Sequence, residues 1–196
     1  MADKVDFYIF RHGETDINKQ KRWQGSGTDV DLNAVGCAQA EVLIEKLKDK
    51  NIEVIFSSPL IRAYHTAQIA ASGLGIDVVV CPALRECHYG VAEGQPIEEI
   101  AAKYGEISAA FGAPKEHLLD VRFPGGESLR EGRERILTAI NDIAQKGYQR
   151  VGLAIHGGTM NNLLSYLGVD NPKVPNCGCI HLVYDGDKLR LDGAVF

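Results

Sequence analysis

Two largely apolar runs, each stopping on a histidine followed by a glycine, constrain this chain more than anything else in it. Val5 to Phe10 runs into Arg11-His12-Gly13, and Val151 to Ile155 runs into His156-Gly157-Gly158. Runs of this length and content read as buried strands. A polar group at the end of such a strand faces the crevice where open α/β sheets bind ligands. An imidazole there suits a nucleophile, and a guanidinium beside it suits an anionic oxygen. The competing reading, two ordinary strand ends or core histidines, predicts no chemistry at either position.

Between the two runs, strand-like and helical patterns alternate, which predicts an α/β fold. Asp16 to Asp31 is polar, contains Gly25-Ser26-Gly27, and reads as a loop. Asn33 is a candidate N-cap for a helix from Ala34 to Lys50, with Val35, Ala38, Val42, Leu43 and Leu47 as its buried stripe. Val54 to Phe56 is a short strand. Ser58 and Pro59 then read as the cap and first turn of a helix that carries Arg62 one turn in and runs to Ala71. Ile76 to Cys81 is a further strand, Leu84 to Gly94 is irregular, and a short helix spans Ile97 to Tyr104. Gly105 to Gly126 reads as a surface excursion over the sheet. Glu127 or Ser128 opens a helix over Leu129 to Lys146 that Gly147 ends. After Ile155 a helix runs to Leu167. Two last strands, Ile180 to Tyr184 and Lys188 to Leu191, flank the hairpin signal Asp185-Gly186-Asp187. No repeat or linker interrupts the 196 residues, so one domain is expected.

Arg62 belongs to a helix that itself follows a strand, so it reaches the same sheet edge as the two histidines. The helix after His156 presents its N-terminal N–H groups there as well. Two arginines, two histidines and a helix N-terminus make a site for a tetrahedral dianion such as phosphate.

These residues resemble the histidine phosphatase superfamily, which includes the cofactor-dependent phosphoglycerate mutases. Arg11-His12-Gly13-Glu14-Thr15 with Asn18 resembles its signature. Further blocks follow in the family's order: Leu32-Asn33-Ala34-Val35-Gly36, Ser57-Ser58-Pro59-Leu60-Ile61-Arg62-Ala63, Leu84-Arg85-Glu86, Pro124-Gly125-Gly126-Glu127-Ser128, and His156-Gly157-Gly158. The resemblance implies a three-layer α/β/α sandwich with a mostly parallel central sheet, phosphoglycerate mutase-like. It implies that His12 is the nucleophile that becomes a phosphohistidine, with Arg11, Arg62 and His156 on the phosphoryl oxygens. Glu86 is implied as the acid for the leaving alcohol, with Glu93, Glu98 and Glu99 close enough in sequence to compete. Asn18, Gln24, Gly25, Tyr89 and Gly157 are implied as further substrate contacts, and Glu14 and Thr15 as scaffold.

The expected activity is hydrolysis of small phosphorylated metabolites, sugar phosphates among them. Glu86-Cys87-His88-Tyr89-Gly90 also resembles a mutase block, which makes a phosphoglycerate mutase the runner-up. The segment after Tyr104 lacks the paired arginines of that branch, offering only Lys103, Lys115 and Arg122. A catalytically inactive binding module is the third reading, disfavoured because every expected catalytic position is filled.

Composition narrows the partners. A net charge of −5 without a Lys/Arg-rich run argues against nucleic acid. No apolar run reaches the roughly 18 residues a spanning helix needs, so no membrane partner is expected. Cys37, Cys81, Cys87, Cys177 and Cys179 are odd in number and scattered, and no signal peptide is recognisable, so the expected setting is cytoplasmic. Cys177-Gly178-Cys179-Ile180-His181 invites a metal, but a packed strand interior is the simpler reading, and no metal or cofactor is expected. His65, His88 and His117 match no block and are assigned surface or packing roles. Oligomeric state stays open, with a homodimer as one option.

Overall fold

The first apolar run forms β1 (Val5–Arg11) at the centre of the sheet in a computed structural model describing residues 4–170 and 173–193. The elements that follow are α1 (Asp16–Lys19), α2 (Ala34–Leu47), β2 (Val54–Ser57), α3 (Ile61–Leu74), β3 (Asp77–Val80), α4 (Ile97–Lys103) and α5 (Gly105–Gly112). Then come α6 (Leu129–Ala144), β4 (Arg150–Ile155), α7 (Gly157–Tyr166), β5 (Cys179–Tyr184) and β6 (Leu189–Leu191). The six strands lie in the order β3-β2-β4-β1-β5-β6. β1 to β4 are mutually parallel, and β5 and β6 add antiparallel partners at one side.

Alternation along each strand divides the side chains between two layers of core. Val5, Phe7 and Ile9 of β1 join Val151, Leu153 and Ile155 of β4 against Ile136, Ile140 and Ile143 of α6 and Leu163 of α7. Tyr8 and Phe10 point the other way, with Ile55 and Ala154, against Leu43 and Leu47 of α2 and Ala67 and Ala70 of α3. A sheet covered on both faces buries its central strands, which is why residues 7–10 of β1 and 151–155 of β4 are apolar and buried throughout. The three-layer, mostly parallel α/β/α arrangement is thus the one the alternation and the resemblance led us to expect.

Several local expectations need correction. The buried stripe of α2 is Gly36, Ala40, Leu43 and Leu47; Val35 and Val42 are more than half exposed. The predicted stripe joined two neighbouring rows of one helix, because small residues at 36 and 40 hid the true contact line, where α2 comes close to its neighbours. Ser58 is not a helix cap, since α3 begins at Ile61 with Leu60 as N-cap, and Arg62 is its second residue. The Asp16–Asp31 stretch contains α1, capped by Thr15 in a reciprocal pair with Asn18. Four residues are too few to show helical periodicity, so only that cap could have betrayed it.

The Gly105–Gly126 excursion is more ordered than expected. It carries α5 and a short 3₁₀ turn at Glu116–Leu118. Phe111, Leu119 and Phe123 are buried there with Tyr89, Ile100 and Leu129 in a third apolar cluster. Trp23 makes edge contacts with Tyr89 and Phe123 at ring-centroid distances of 4.8 and 5.2 Å, and Phe111 stacks on Phe123 at 5.4 Å. Its aromatics occur singly, so no period announced the cluster.

Candidate active site

The register of two parallel strands brings the histidines together. Arg11 pairs with Ile155, so the next residues, His12 and His156, leave the sheet side by side. Their ring centroids are 5.3 Å apart. In the strand order, β4 returns between β1 and β2, and the crevice opens at the carboxyl ends of these strands, as it does in other open α/β sheets. A cleft of about 250 Å³ lies there, lined by residues that include Arg11, His12, Gln24, Arg62, Glu86 and Tyr89. Asn18, Gly25 and Gly157 line it too. Every predicted site residue therefore borders this cleft except His156, which is fully buried beside His12.

His12 is 3% exposed, and its Nδ1 donates to the carbonyl of Gly13 at 2.7 Å. A carbonyl only accepts, so the ring proton sits on Nδ1 and Nε2 keeps its lone pair. Burial, then Arg62 and Arg11, hold the His12 pKa well below its ordinary 6.5, so the imidazole is neutral. Gly13 has no positive φ. What requires glycine is space: a Cβ there would collide with the carbonyl of Gly36, where α2 presses against the loop. The Gly13 N–H donates to Thr66 Oγ1 at 3.0 Å, and Asn176 donates to the His12 carbonyl at 3.0 Å.

Arg62 is the largest fully buried side chain among the described residues. It donates to the carbonyls of Thr28 and Gly25 at 3.0 and 2.8 Å, tying down the loop between them. Burial pushes its pKa down to about 10, so it stays cationic at neutral pH. Arg11 donates to the carbonyl of Val174 at 2.9 Å. Besides Trp23 Nε1 in the outer wall, four donors of the site are buried without a protein acceptor: Arg11 Nε, Arg62 Nε, Gln24 Nε2 and His156 Nδ1. Such groups are costly to leave unpaired. All four are nitrogens, and together they describe a pocket for an acceptor-rich anion. Gln24 is oriented by its other end, whose Oε1 accepts from Thr15 Oγ1 and Asn18 Nδ2 at 3.1 and 3.3 Å.

Glu86 occupies the place expected for the anion at the start of α7. Its carboxylate accepts from the N–H groups of Gly158 and Thr159 at 2.8 and 2.9 Å, from Thr159 Oγ1 at 2.8 Å and from its neighbour Cys87 N–H at 3.0 Å. The Tyr89 hydroxyl also bonds it, and burial, followed by Glu86, holds that phenol protonated far above its ordinary range. The helix N-terminus thus seats the acid. Gly158 must lack a side chain, because a Cβ would strike the Tyr89 hydroxyl. Among the described residues Glu86 is the only carboxylate bordering the cleft. Glu93 instead accepts from the Tyr89 N–H at 2.9 Å, and Glu98 and Glu99 are exposed on α4.

The remaining histidines fall outside. His65 pairs with Asp31 at 2.7 Å, while His88 and His117 are exposed. His181 is clamped between Asp6 and Asp192 at 2.8 and 3.4 Å and stacks on Tyr8. Each of its nitrogens faces its own carboxylate, and Cys179 is buried in β5. Cys177 precedes the strand in a left-handed turn, with φ of 52°. No helix among the described residues is long and apolar enough to cross a membrane.

The sequence reading missed Ser58, Thr66, Thr159, Asn176 and the outer wall of Trp23 and Phe111. Thr66 stands with the Arg62 block in the resemblance and Thr159 directly follows His156-Gly157-Gly158, but neither was given a role in the site. Asn176 stands alone in sequence and carried no signal.

Comparison with known proteins agrees with the geometry. The chain is 32% identical over 182 residues to phosphoserine phosphatase 1 of Hydrogenobacter thermophilus, covering 92% of this chain and 84% of that one. It is 34% identical over 195 residues to phosphoglycerate mutase-like protein 4 of Arabidopsis thaliana, covering 95% and 83%. The mycobacterial glucosyl-3-phosphoglycerate phosphatase, solved in complex with VO3, superposes with a TM-score of 0.83 at 26% identity, over 96% of this chain and 97% of that one. The fold is phosphoglycerate mutase-like. Residues 7–195 match the sequence model of the histidine phosphatase superfamily (branch 1), and the chain belongs to that family.

Proposed function

We propose that this protein is a phosphomonoesterase that hydrolyses small phosphorylated metabolites through a phosphohistidine at His12. The observation that carries the reading is the set of buried, unpaired donors on Arg11, Arg62, Gln24 and His156 around a neutral imidazole. A cleft of about 250 Å³, just below the usual range for ligand sites, suits a small metabolite rather than a macromolecule. Phosphatases among the relatives support the same class.

His12 Nε2 attacks phosphorus while the ester P–O bond breaks on the opposite side. The arginines and the His156 Nδ1–H take up charge on the equatorial oxygens. Ser58 supplies that tautomer. Its Oγ lies 2.7 Å from His156 Nε2 and accepts from the Leu60 N–H; with the hydroxyl proton given to Nε2, the ring proton sits on Nδ1. Protonated Glu86 gives its proton to the departing alkoxide. Water then attacks the phosphohistidine, Glu86 carboxylate takes a proton from it, the P–N bond breaks, and His12 returns neutral.

A mutase remains the second reading because of the Arabidopsis relative. Against it, Arg11, Arg22 and Arg62 are the only cations bordering the cleft among the described residues. Arg122 instead pairs with Glu131 at 3.2 Å. An inactive binding module is excluded if p-nitrophenyl phosphate is turned over.

The mechanistic test is Glu86→Gln, read by rapid quench as labelled phosphohistidine forms. An alkyl phosphate should be slowed about 10²- to 10⁴-fold, since its alkoxide cannot leave unprotonated. p-Nitrophenyl phosphate should be slowed only mildly. Equal slowing of both would mean that Glu86 positions the phosphate and does not protonate the leaving group.

A further inference from the structure

Glu86 sits on an irregular stretch between β3 and α4, yet a general acid must be held to within a fraction of an ångström of its target. The carboxylate end is held by α7. The backbone end is held by Arg135, one of the most heavily bonded side chains outside the cleft. Arg135 Nη1 donates to the carbonyls of Ala83 and Arg85 at 2.7 and 2.8 Å. The second of these belongs to the peptide bond that enters Glu86. The other edge of the guanidinium forks onto Glu127, with Nε to Oε1 at 2.9 Å and Nη2 to Oε2 at 2.7 Å. Glu127 in turn donates its N–H to the carbonyl of His88 at 2.7 Å and is hydrogen-bonded by the Cys87 thiol. The chain is therefore pinned at residues 83, 85, 87 and 88, on both sides of the acid.

Both partners are nearly buried, at 13% and 11% side-chain exposure. Burial pushes Glu127 up, but the Arg135 fork more than offsets it and holds the carboxyl below its ordinary range. α6 can press this close because residue 132 is glycine: a Cβ there would lie 2.6 Å from Cys87 Sγ. A surface ion pair would need none of this. One buried guanidinium divided between two loop carbonyls and a bidentate carboxylate fixes a plane, a geometry that lysine cannot reproduce.

We propose that the Arg135–Glu127 pair is a positioning brace that sets Glu86 for proton transfer, so that its contribution to turnover passes through Glu86 alone. The proposal rests on the phosphatase reading and adds to it a residue pair that touches no substrate. If it is right, loosening the brace harms the leaving-group step and spares nucleophilic attack.

The experiment is a double-mutant cycle on phosphohistidine formation with glycerol phosphate and p-nitrophenyl phosphate. Arg135→Lys keeps the charge and loses the fork. It should slow the alkyl ester about 10²-fold, the order expected from a displacement near 1 Å, and the aryl ester several-fold at most. In the Glu86→Gln background, Arg135→Lys should slow the alkyl ester no further. Glu127→Gln, which keeps the shape of the partner, should repeat the pattern, and serves if Arg135→Lys does not fold by thermal melt. Equal slowing of both esters, or full additivity with Glu86→Gln, overturns the brace and leaves the phosphatase reading standing. A wild-type protein that hydrolyses neither ester overturns the phosphatase reading, and the brace with it.

Discussion

His12 and His156 follow neighbouring parallel strands at matched register, each before a glycine, yet only His12 borders the cleft. His12 spends Nδ1 on a backbone carbonyl and keeps Nε2 free. His156 does the reverse: Nε2 is taken by Ser58, and Nδ1 is buried without an acceptor. The first arrangement leaves a lone pair for attack, and the second, with Ser58 donating, leaves a proton to give. The surroundings of a motif, more than the motif itself, set which nitrogen is chemically available. β1 is followed by a loop on which α2 presses, so its histidine turns to the carbonyl of Gly13. β4 lies next to β2, whose end carries Ser58, so its histidine finds a hydroxyl.

The comparison breaks most visibly at His12. His12→Ala should remove the nucleophile and cut turnover by about 10⁴-fold or more, with the fold intact, because the residue contributes chemistry more than packing. Residual activity within tenfold of wild type in a folded variant would dismiss His12 as the nucleophile. His156→Gln should cost less, about 10²-fold in kcat, as expected when one donor to the developing charge is lost. Labelled phosphohistidine should still form in His156→Gln, slowly, and should not form in His12→Ala. Phosphohistidine in both variants, or in neither, would erase the distinction drawn between the two rings.

How much of this was legible beforehand divides along the same line. Strand ends and the arginine on α3 follow from the strand and helix pattern, and the glutamate near Leu84 was named through the resemblance that the contiguous blocks carry. Hydrogen bonds that cross between blocks were not. Ser58 read as a helix cap because Ser-Ser-Pro imitates one, and its contact with His156 spans 98 positions. Arg135 drew no reading of its own within the predicted helix. Its carbonyl partners at 83 and 85 lie on a stretch without periodicity. The outer wall failed for another reason: Trp23, Phe111 and Phe123 are isolated aromatics, and isolated aromatics have no period to detect.

Acid stability offers the smallest effect and the sharpest one. Both rings are buried, and both pKa values lie well below the ordinary 6.5: burial acts first on each, followed by Arg62, then Arg11 for His12 and His12 for His156. In the unfolded chain each imidazole takes up a proton near pH 6.5, while in the folded chain it stays neutral to lower pH. Between those two values the unfolded state binds more protons, so stability rises with pH and is lost as pH falls below about 6.5. Each such histidine costs up to about 1.4 kcal/mol per pH unit across that window, which for a chain of this size is a few degrees of Tm. Above about pH 5.5 few carboxylates of the unfolded chain have begun to titrate, so measurements kept there separate the two contributions. Melting at pH 7.5, 6.5 and 5.5 should show the decline, and His12→Gln or His156→Gln should each remove about half of it. Inorganic phosphate should flatten it as well, because an anion against the two rings favours their protonated forms. A slope unchanged in both variants would mean that the native rings take up protons as readily as the unfolded ones, and the neutral His12 required for attack would lose its support.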